Sequence, residues 1–494
     1  MYDFRQCFDK VWLEDSLLSL WKLGLQDDML KLISLLNKES VATVKTACGE
    51  TESFPLGPSV KQGTVLGPIL SSASIAECCM ESKIGGATIG NIAIRLIAFV
   101  DDLLGANHTI KDVHESHSVV NVFSKKKRIP LNEEKCIVLP VNVSNKEAVP
   151  ILHVNGREMD ICEFARYLGD IFNSKGDNTD MVDDRVNKGL KCMISSISLA
   201  SEITLGIHLI HTQILLYKVM FLAVVIFNSC AWNNITDTQM SKLRTSQLKF
   251  LKRILHTPSS TTNCFTFLEL GILPIEYNIH MAQLNFLHHI LSLDVEDPVY
   301  LCYHQQKLFE FEKNWYNEVV GLRSRYELLE TDEEIAKLSK EEWKAVVKKQ
   351  VFWHALEYLN RENALKSRTS HHPAREKLQT QDYFFYLQPA DARLVFSIRC
   401  GTLDLKTLRK YNYTEGDVMC RLCGNKEETV NHIVNECALI EGDGMVTDVF
   451  SLLQKDIETV VVRVKRFLKI AKEKKEAEEK EGEGIETENL LNQV

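Results

Sequence analysis

The chain of 494 residues is 45% hydrophobic and 25% charged, an ordinary globular composition with room for roughly two to four domains. Its formal net charge of −9 argues against a uniformly basic nucleic-acid binder. No basic segment followed by a continuous apolar run opens the sequence, so an intracellular protein, in cytoplasm or nucleus and not secreted, is expected; its 14 cysteines then read as free thiols or metal ligands rather than a disulfide framework.

Helical periodicity covers residues 13–36 with a break at Gly24, and an alternating strand pattern covers 41–46 before a turn at Gly49. A helix is predicted after Gly67-Pro68, a strand over 92–100, a helix over about 111–123, and strands at 136–140 and 151–154. Asn155-Gly156 supplies a type I′ hairpin turn, and 164–168 is the last predicted strand.

Beyond Gly169 long helical patterns run to about residue 400, punctuated at Pro258 and Pro274. Residues 214–227 are the most membrane-like, but they fall short of the roughly 20 apolar residues a span needs and carry Lys218; a buried helix and no membrane partner are predicted. Residues 185–255 hold nine basic residues against two acidic ones, Glu202 and Asp237. Residues 335–349 are so charged that an exposed helix is predicted, and 473–488 read as a solvated helix fading into disorder. The basic run at 125–128 is either a nuclear localisation signal or a solvated connection.

Three motifs carry chemistry. In IRLIAFVDDLLGANH an apolar strand ends in Asp101-Asp102 and a second apolar segment follows. Adjacent carboxylates at a hairpin tip repel unless a cation or solvent screens them, so the pair is either a metal site or an exposed turn. Asp27-Asp28 and Asp183-Asp184 sit in polar, helix-forming surroundings and need no such explanation.

In KQGTVLGPILSS, Gln62-Gly63 leads through Gly67-Pro68 into a helix; glycines allow close backbone approach and Gln can hydrogen-bond a sugar or base edge, or the stretch is a plain loop. Cys420-x2-Cys423-x8-His432-x4-Cys437 is a complete tetrahedral S₃N set with no position left open, as one structural Zn²⁺ requires. Its expected role is folding and nucleic-acid docking, with Arg421 and Lys426 lending basic character.

Asp3 followed five residues on by Phe8, then VKQGTVLGPIL, FVDD, LNEEKC and FARYLG, resembles in order the motif series of non-LTR (LINE-like) retrotransposon reverse transcriptases. The likeness continues through SKLRTSQLKFLKRILHTPSS to the Cys/His cluster. It implies an α/β palm of right-hand polymerase type, an antiparallel sheet with flanking helices and incomplete fingers, followed by a mainly α-helical thumb and C-terminal region and a small zinc-binding module. The implied domains are palm 1–172, basic thumb 173–300, helical region 301–410, zinc knuckle 411–445 and charged tail 446–494.

The resemblance further implies that Asp3, Asp101 and Asp102 are catalytic and bind two Mg²⁺. Phe8 then crowds the sugar 2′ carbon, Gln62 and Gly63 touch nucleotide and template, Lys135 approaches the triphosphate, and residues 164–169 form the primer grip. The implied partners are an RNA template, a DNA primer or RNA–DNA hybrid, and deoxynucleoside triphosphates. Two positions depart mildly from the family pattern: Gln6-Cys7, where a basic residue and Ala are frequent, and Lys61, where Pro or Arg is common.

The family's fingers, its nicking endonuclease domain and the strand that should carry Asp3 precede the first aspartate, where this sequence has only Met1 and Tyr2. A truncated fragment is therefore expected, with Asp3 on a mobile terminus and impaired polymerase activity. The alternative is a non-catalytic RNA- or hybrid-binding remnant acting through thumb and knuckle.

Overall fold

The computed structural model describes residues 1–38, 40–55, 60–61, 63–83, 85–144, 149–204, 206–309, 313–328, 331–408, 418–440, 446–450 and 453–491, with side chains to residue 477. Two compact units divide it. One joins Met1–Asp184 to His289–Glu318 and the other joins Arg185–His288 to Val319–Val494. A mixed α/β first unit and, among the described residues, a second unit of helices with only isolated bridges match the predicted class in outline, but in place of one antiparallel sheet the described strands pair in two-stranded ladders, one of them parallel.

Alternation begins with the first residues: Tyr2 and Phe4 are buried, while Asp3 and Arg5 are not. Tyr2 bridges antiparallel to Leu103 and Phe4 to Leu131. Tyr2 and Leu103 exchange backbone hydrogen bonds of 2.8 and 3.2 Å, Asn132 N–H donates to the Asp3 carbonyl at 2.8 Å, and Arg5 N–H donates to Pro130 at 2.8 Å. The expected mobile terminus is thus corrected. The first five residues are held by two isolated bridges, because two aromatics buried on one face, at roughly 1.5–3 kcal/mol each, keep the backbone extended against its partners.

The predicted strands are mostly shorter and more broken. Residues 41–46 divide into Val41–Ala42, paired with Phe54–Pro55, and Lys45–Thr46, paired with Gly49–Glu50. Residues 92–100 divide into Ile92–Ile94, which turns back on Ala87–Ile89 through Gly90, and Leu96–Phe99. Ile137–Val138 pairs in parallel with Asp160–Ile161, a long-range contact that alternation cannot reveal. Asn155 and Gly156 take φ 50 and 85, the predicted I′ turn between His153–Val154 and Arg157–Glu158.

Helix Leu66–Glu81 is buried along much of its length and carries Glu77 into an ionic node. Lys127 approaches Glu77 at 2.7 Å and Lys22 at 2.8 Å, and Ser19 Oγ donates to it at 3.0 Å. Lys127, in helix Ile110–Lys127, is buried. The run at 125–128 is therefore not simply a solvated connection, since its third lysine closes a core ion pair.

In the second unit, Ile214, Tyr217, Phe221 and Val225 are buried while Leu215 and Val219 are exposed, so the expected buried helix buries one face only. The run Gly206–Val225 is long and apolar enough to cross a membrane by length and composition, but its chain passes through a π-helical stretch, Tyr217–Leu222. Tyr217 hydroxyl accepts from Gln247 Nε2 at 2.7 Å, and its ring packs with Phe221 and Phe250.

The charged stretch at 335–349 is also corrected. Trp343, Val347, Val351, Ala355 and Leu359 of helix Lys340–Ala364 form a buried stripe at every fourth residue, with Trp343 Nε1 donating to the Leu284 carbonyl at 2.9 Å. Charge on the remaining faces masked that stripe.

Candidate metal centres

Strands Leu96–Phe99 and Asp102–Gly105 close on the Phe99–Asp102 pair, leaving Val100 and Asp101 as the turn. Val100 takes φ 56, left-handed backbone that costs a β-branched residue about 1–3 kcal/mol. The turn keeps Asp101 and Asp102 at one end of a rigid ladder, and the Tyr2–Leu103 pair sets Asp3 beside that ladder.

The Asp102 carboxyl is raised above its ordinary value by burial first and then by Asp101 and Asp3, with Lys135 acting the other way. Asp102 therefore feels both other carboxylates. Lys135 Nζ lies 3.3 Å from Asp3 Oδ1 and supplies part of the positive charge they need. This oxygen-rich, mutually repelling set fits a hard divalent cation. Among the described residues only the Cys/His group has all its ligand atoms within 4.8 Å of one another, and the three aspartates do not form such a group.

Phe8 is half-buried against the first unit's core, and its carbonyl accepts from Val60 N–H at 3.1 Å, which draws the following loop alongside. Gln62 lies outside the described residues. Gly63 takes φ 79 with open space where a Cβ would point, whereas a Cβ on Gly67 would lie 2.4 Å from the Lys61 carbonyl oxygen. Close approach thus belongs to Gly67, where Thr64 Oγ1 also accepts from the Gly67 N–H at 3.1 Å and donates to Lys61 at 3.0 Å.

The hairpin of Phe164–Tyr167 and Asp170–Asn173 turns through Leu168 and Gly169, both at positive φ. Tyr167 hydroxyl donates to the Ile97 carbonyl at 3.4 Å, and its pKa is raised by burial and then by Asp102. This ties the hairpin to the carboxylate-bearing one, a link that nothing in the linear spacing announces.

Cys420, Cys423, His432 and Cys437 converge, with His432 Nε2 3.3 Å from Cys423 Sγ. A π-helical turn, His432–Glu436, brings Glu436 to 3.7 Å from His432 Nδ1, the usual orientation for a carboxylate behind a metal-bound imidazole. Burial pushes the Cys437 thiol up to about 11, with Cys420 and Cys423 adding to it. Burial also opposes ionisation of Cys423, but the Asn425 N–H and the Cys420 and Cys437 thiols bring it below its usual value. Crowded thiols that repel as thiolates fit a soft divalent cation, and the set is compatible with zinc.

Arg421 does not lend free basic character. It clamps the fully buried Glu428 at 2.6 Å, donates to the Asp404 carbonyl at 2.7 Å and lies over the Phe467 ring. Lys426 is exposed but paired with Glu436 at 3.0 Å.

The basic segment is also partly structural. Arg244 forks onto Glu276, Arg185 is buried against Phe227, and Lys252 binds the Ser259 and Thr261 carbonyls and Asn263 at 2.6 to 2.8 Å. Lys191, Lys218, Lys249 and Arg253 are exposed. Lys242 and Lys249 line a groove of about 560 Å³ with Val186, Leu190 and Thr245.

Residues 1–161 match the family described as reverse transcriptase (RNA-dependent DNA polymerase). The chain is also similar to the retrovirus-related Pol polyprotein from type-1 retrotransposable element R2 of Popillia japonica, 28% identical over 202 residues. That match takes in 39% of this chain and 28% of the relative, so the chain spans well under two thirds of the relative's length.

Proposed function

We propose that this chain, a non-LTR retrotransposon reverse transcriptase over its first 161 residues, catalyses RNA-directed DNA synthesis at Asp3, Asp101 and Asp102. The observation that carries the reading is the placement of Asp101 and Asp102 at the end of a paired hairpin, with Asp3 next to the Tyr2–Leu103 bridge on that hairpin and Lys135 3.3 Å from Asp3. Two Mg²⁺ held there would lower the pKa of the primer 3′-hydroxyl and neutralise the triphosphate.

The chain's own groups do the remaining work. Lys135 is exposed and long enough to exchange Asp3 for a phosphate oxygen. Phe8, fixed by packing and by the Val60 link, stands where a sugar 2′ substituent is crowded out. Gly63, with no side chain in its way, lets backbone approach nucleotide or template. The YLG hairpin, joined to the carboxylate hairpin through Tyr167, orients the primer end. The exposed lysines of the helical unit contact phosphates of template and primer, and the Cys/His site holds zinc as a structural element.

Primer extension on an RNA template with Mg²⁺ tests the reading. The unmodified chain is expected to extend the primer weakly, impaired as the sequence predicts, and Asp101→Ala to lose at least about a hundredfold of that rate, the scale of removing a charge-stabilising group from such a site. Extension that survives Asp101→Ala would remove these carboxylates from the mechanism. The groove lined by Lys242 and Lys249 favours a second reading, a non-catalytic RNA or hybrid binder. It requires salt-sensitive binding with no extension, unchanged by Asp101→Ala.

A further inference from the structure

Asp3 owes its place to its neighbour. Among the described residues its side chain is anchored only through the exposed Lys135, while its position relative to Asp102 passes through the Tyr2–Leu103 backbone pair. That pair is an isolated bridge rather than part of a long ladder. The Asn132 N–H and the Phe4–Leu131 bridge hold Asp3 on its other side, so the Tyr2 side chain is the restraint that ties Asp3 to the hairpin carrying Asp101 and Asp102. Tyr2 is buried, with its hydroxyl 3.3 Å from His117 Nδ1 and its ring stacked on the imidazole at 5.8 Å between centroids.

The far side of the imidazole is held as well: His117 Nε2 lies 3.0 Å from the His153 carbonyl oxygen and 2.8 Å from Asn121 Nδ2. Burial lowers the imidazole pKa below its ordinary value.

We infer that His117 and Tyr2 are positioning residues for the metal site: the His117 imidazole holds the Tyr2 phenol, and through it helps set Asp3 against Asp102. The inference rests on the reading of Asp3, Asp101 and Asp102 as metal ligands. It assigns a role in metal binding to a histidine of helix Ile110–Lys127 that touches neither metal nor substrate.

The test is Mn²⁺ binding to the zinc-replete full chain, followed by electron paramagnetic resonance, with thermal midpoints recorded in parallel. Tyr2→Phe, which keeps the ring, and His117→Ala are each expected to weaken Mn²⁺ binding about tenfold, the lower end for losing a hydrogen bond behind a metal ligand. His117→Asn, which retains an acceptor near Nδ1, is expected to recover most of that loss. Lower midpoints with unchanged Mn²⁺ affinity in both Tyr2→Phe and His117→Ala, while Asp3→Asn weakens binding, would overturn the inference and leave the site intact. Unchanged affinity in Asp3→Asn itself would overturn the site and the inference with it.

Discussion

At the scale of single residues, legibility followed chemistry that is visible in one dimension. Asp101-Asp102 stood out because apolar strand flanks both sides, and the Cys/His set because its ligands carry their spacing with them. His117 and Glu77 carried no such mark, because their importance comes from partners brought close only by folding. Glu77 yields a direct prediction. Burial opposes its ionisation, but hydrogen bonds from Lys127, Lys22 and Ser19 outweigh that and hold the carboxyl well below its ordinary value. A depressed folded-state pKa contributes stability that is fully present at neutral pH and is lost as the pH falls through the ordinary value toward the folded one. Glu77→Gln strands the buried Lys127 and is expected to cost about 3–5 kcal/mol at pH 7, with the difference from the unmodified chain narrowing in acid. Urea unfolding at several pH values measures this, and a penalty independent of pH would contradict it.

At the scale of elements, helices were read more reliably than strands. Leu66–Glu81 and Ile110–Lys127 lie near where periodicity placed them. The strands proved shorter because their ends are set by glycine turns such as Gly90 and by partners distant in sequence. The bridges of the opening residues were missed altogether, since two aromatics at alternate positions are too short a pattern without knowledge of Leu103 and Leu131. The carboxylate hairpin stores strain at Val100, and the element responds to its removal predictably. Val100→Gly relieves a cost of about 1–3 kcal/mol and adds about 0.5–1 kcal/mol of backbone entropy, so the urea midpoint is expected to hold or rise. Primer extension by the same variant is expected to fall, because a freer turn no longer fixes Asp101 against Asp102 within the tolerance of about 0.5 Å that such sites need. A lower midpoint, or full extension, would argue that the strained turn is incidental.

At the scale of the whole molecule, the division into an α/β part and a helical part was legible from where strand patterns stop. The place of the Cys/His cluster was not. It reads as a detachable knuckle followed by a charged tail, yet Cys420 and Cys437 belong to a core with Leu405, Ile433 and Val434 and with Val460, Val464 and Phe467 of the terminal helix Gln454–Leu491. The charged residues of that helix hid the apolar stripe that docks it. Arg421 ties the two further, through Glu428 on one side and Phe467 on the other. A structural zinc, as proposed for this cluster, would supply folding free energy to whatever is built around it, so the effect of its removal should not be confined to the four ligands. Chelation, or Cys423→Ser, is expected to release the helix along with the cluster. Hydrogen exchange should then show lost protection at Val460, Val464 and Phe467, together with Ile433 and Val434. If the helix kept its protection while the cluster lost its own, apolar packing alone would hold it. Zinc would then stabilise only its own loop, as expected of a free-standing knuckle.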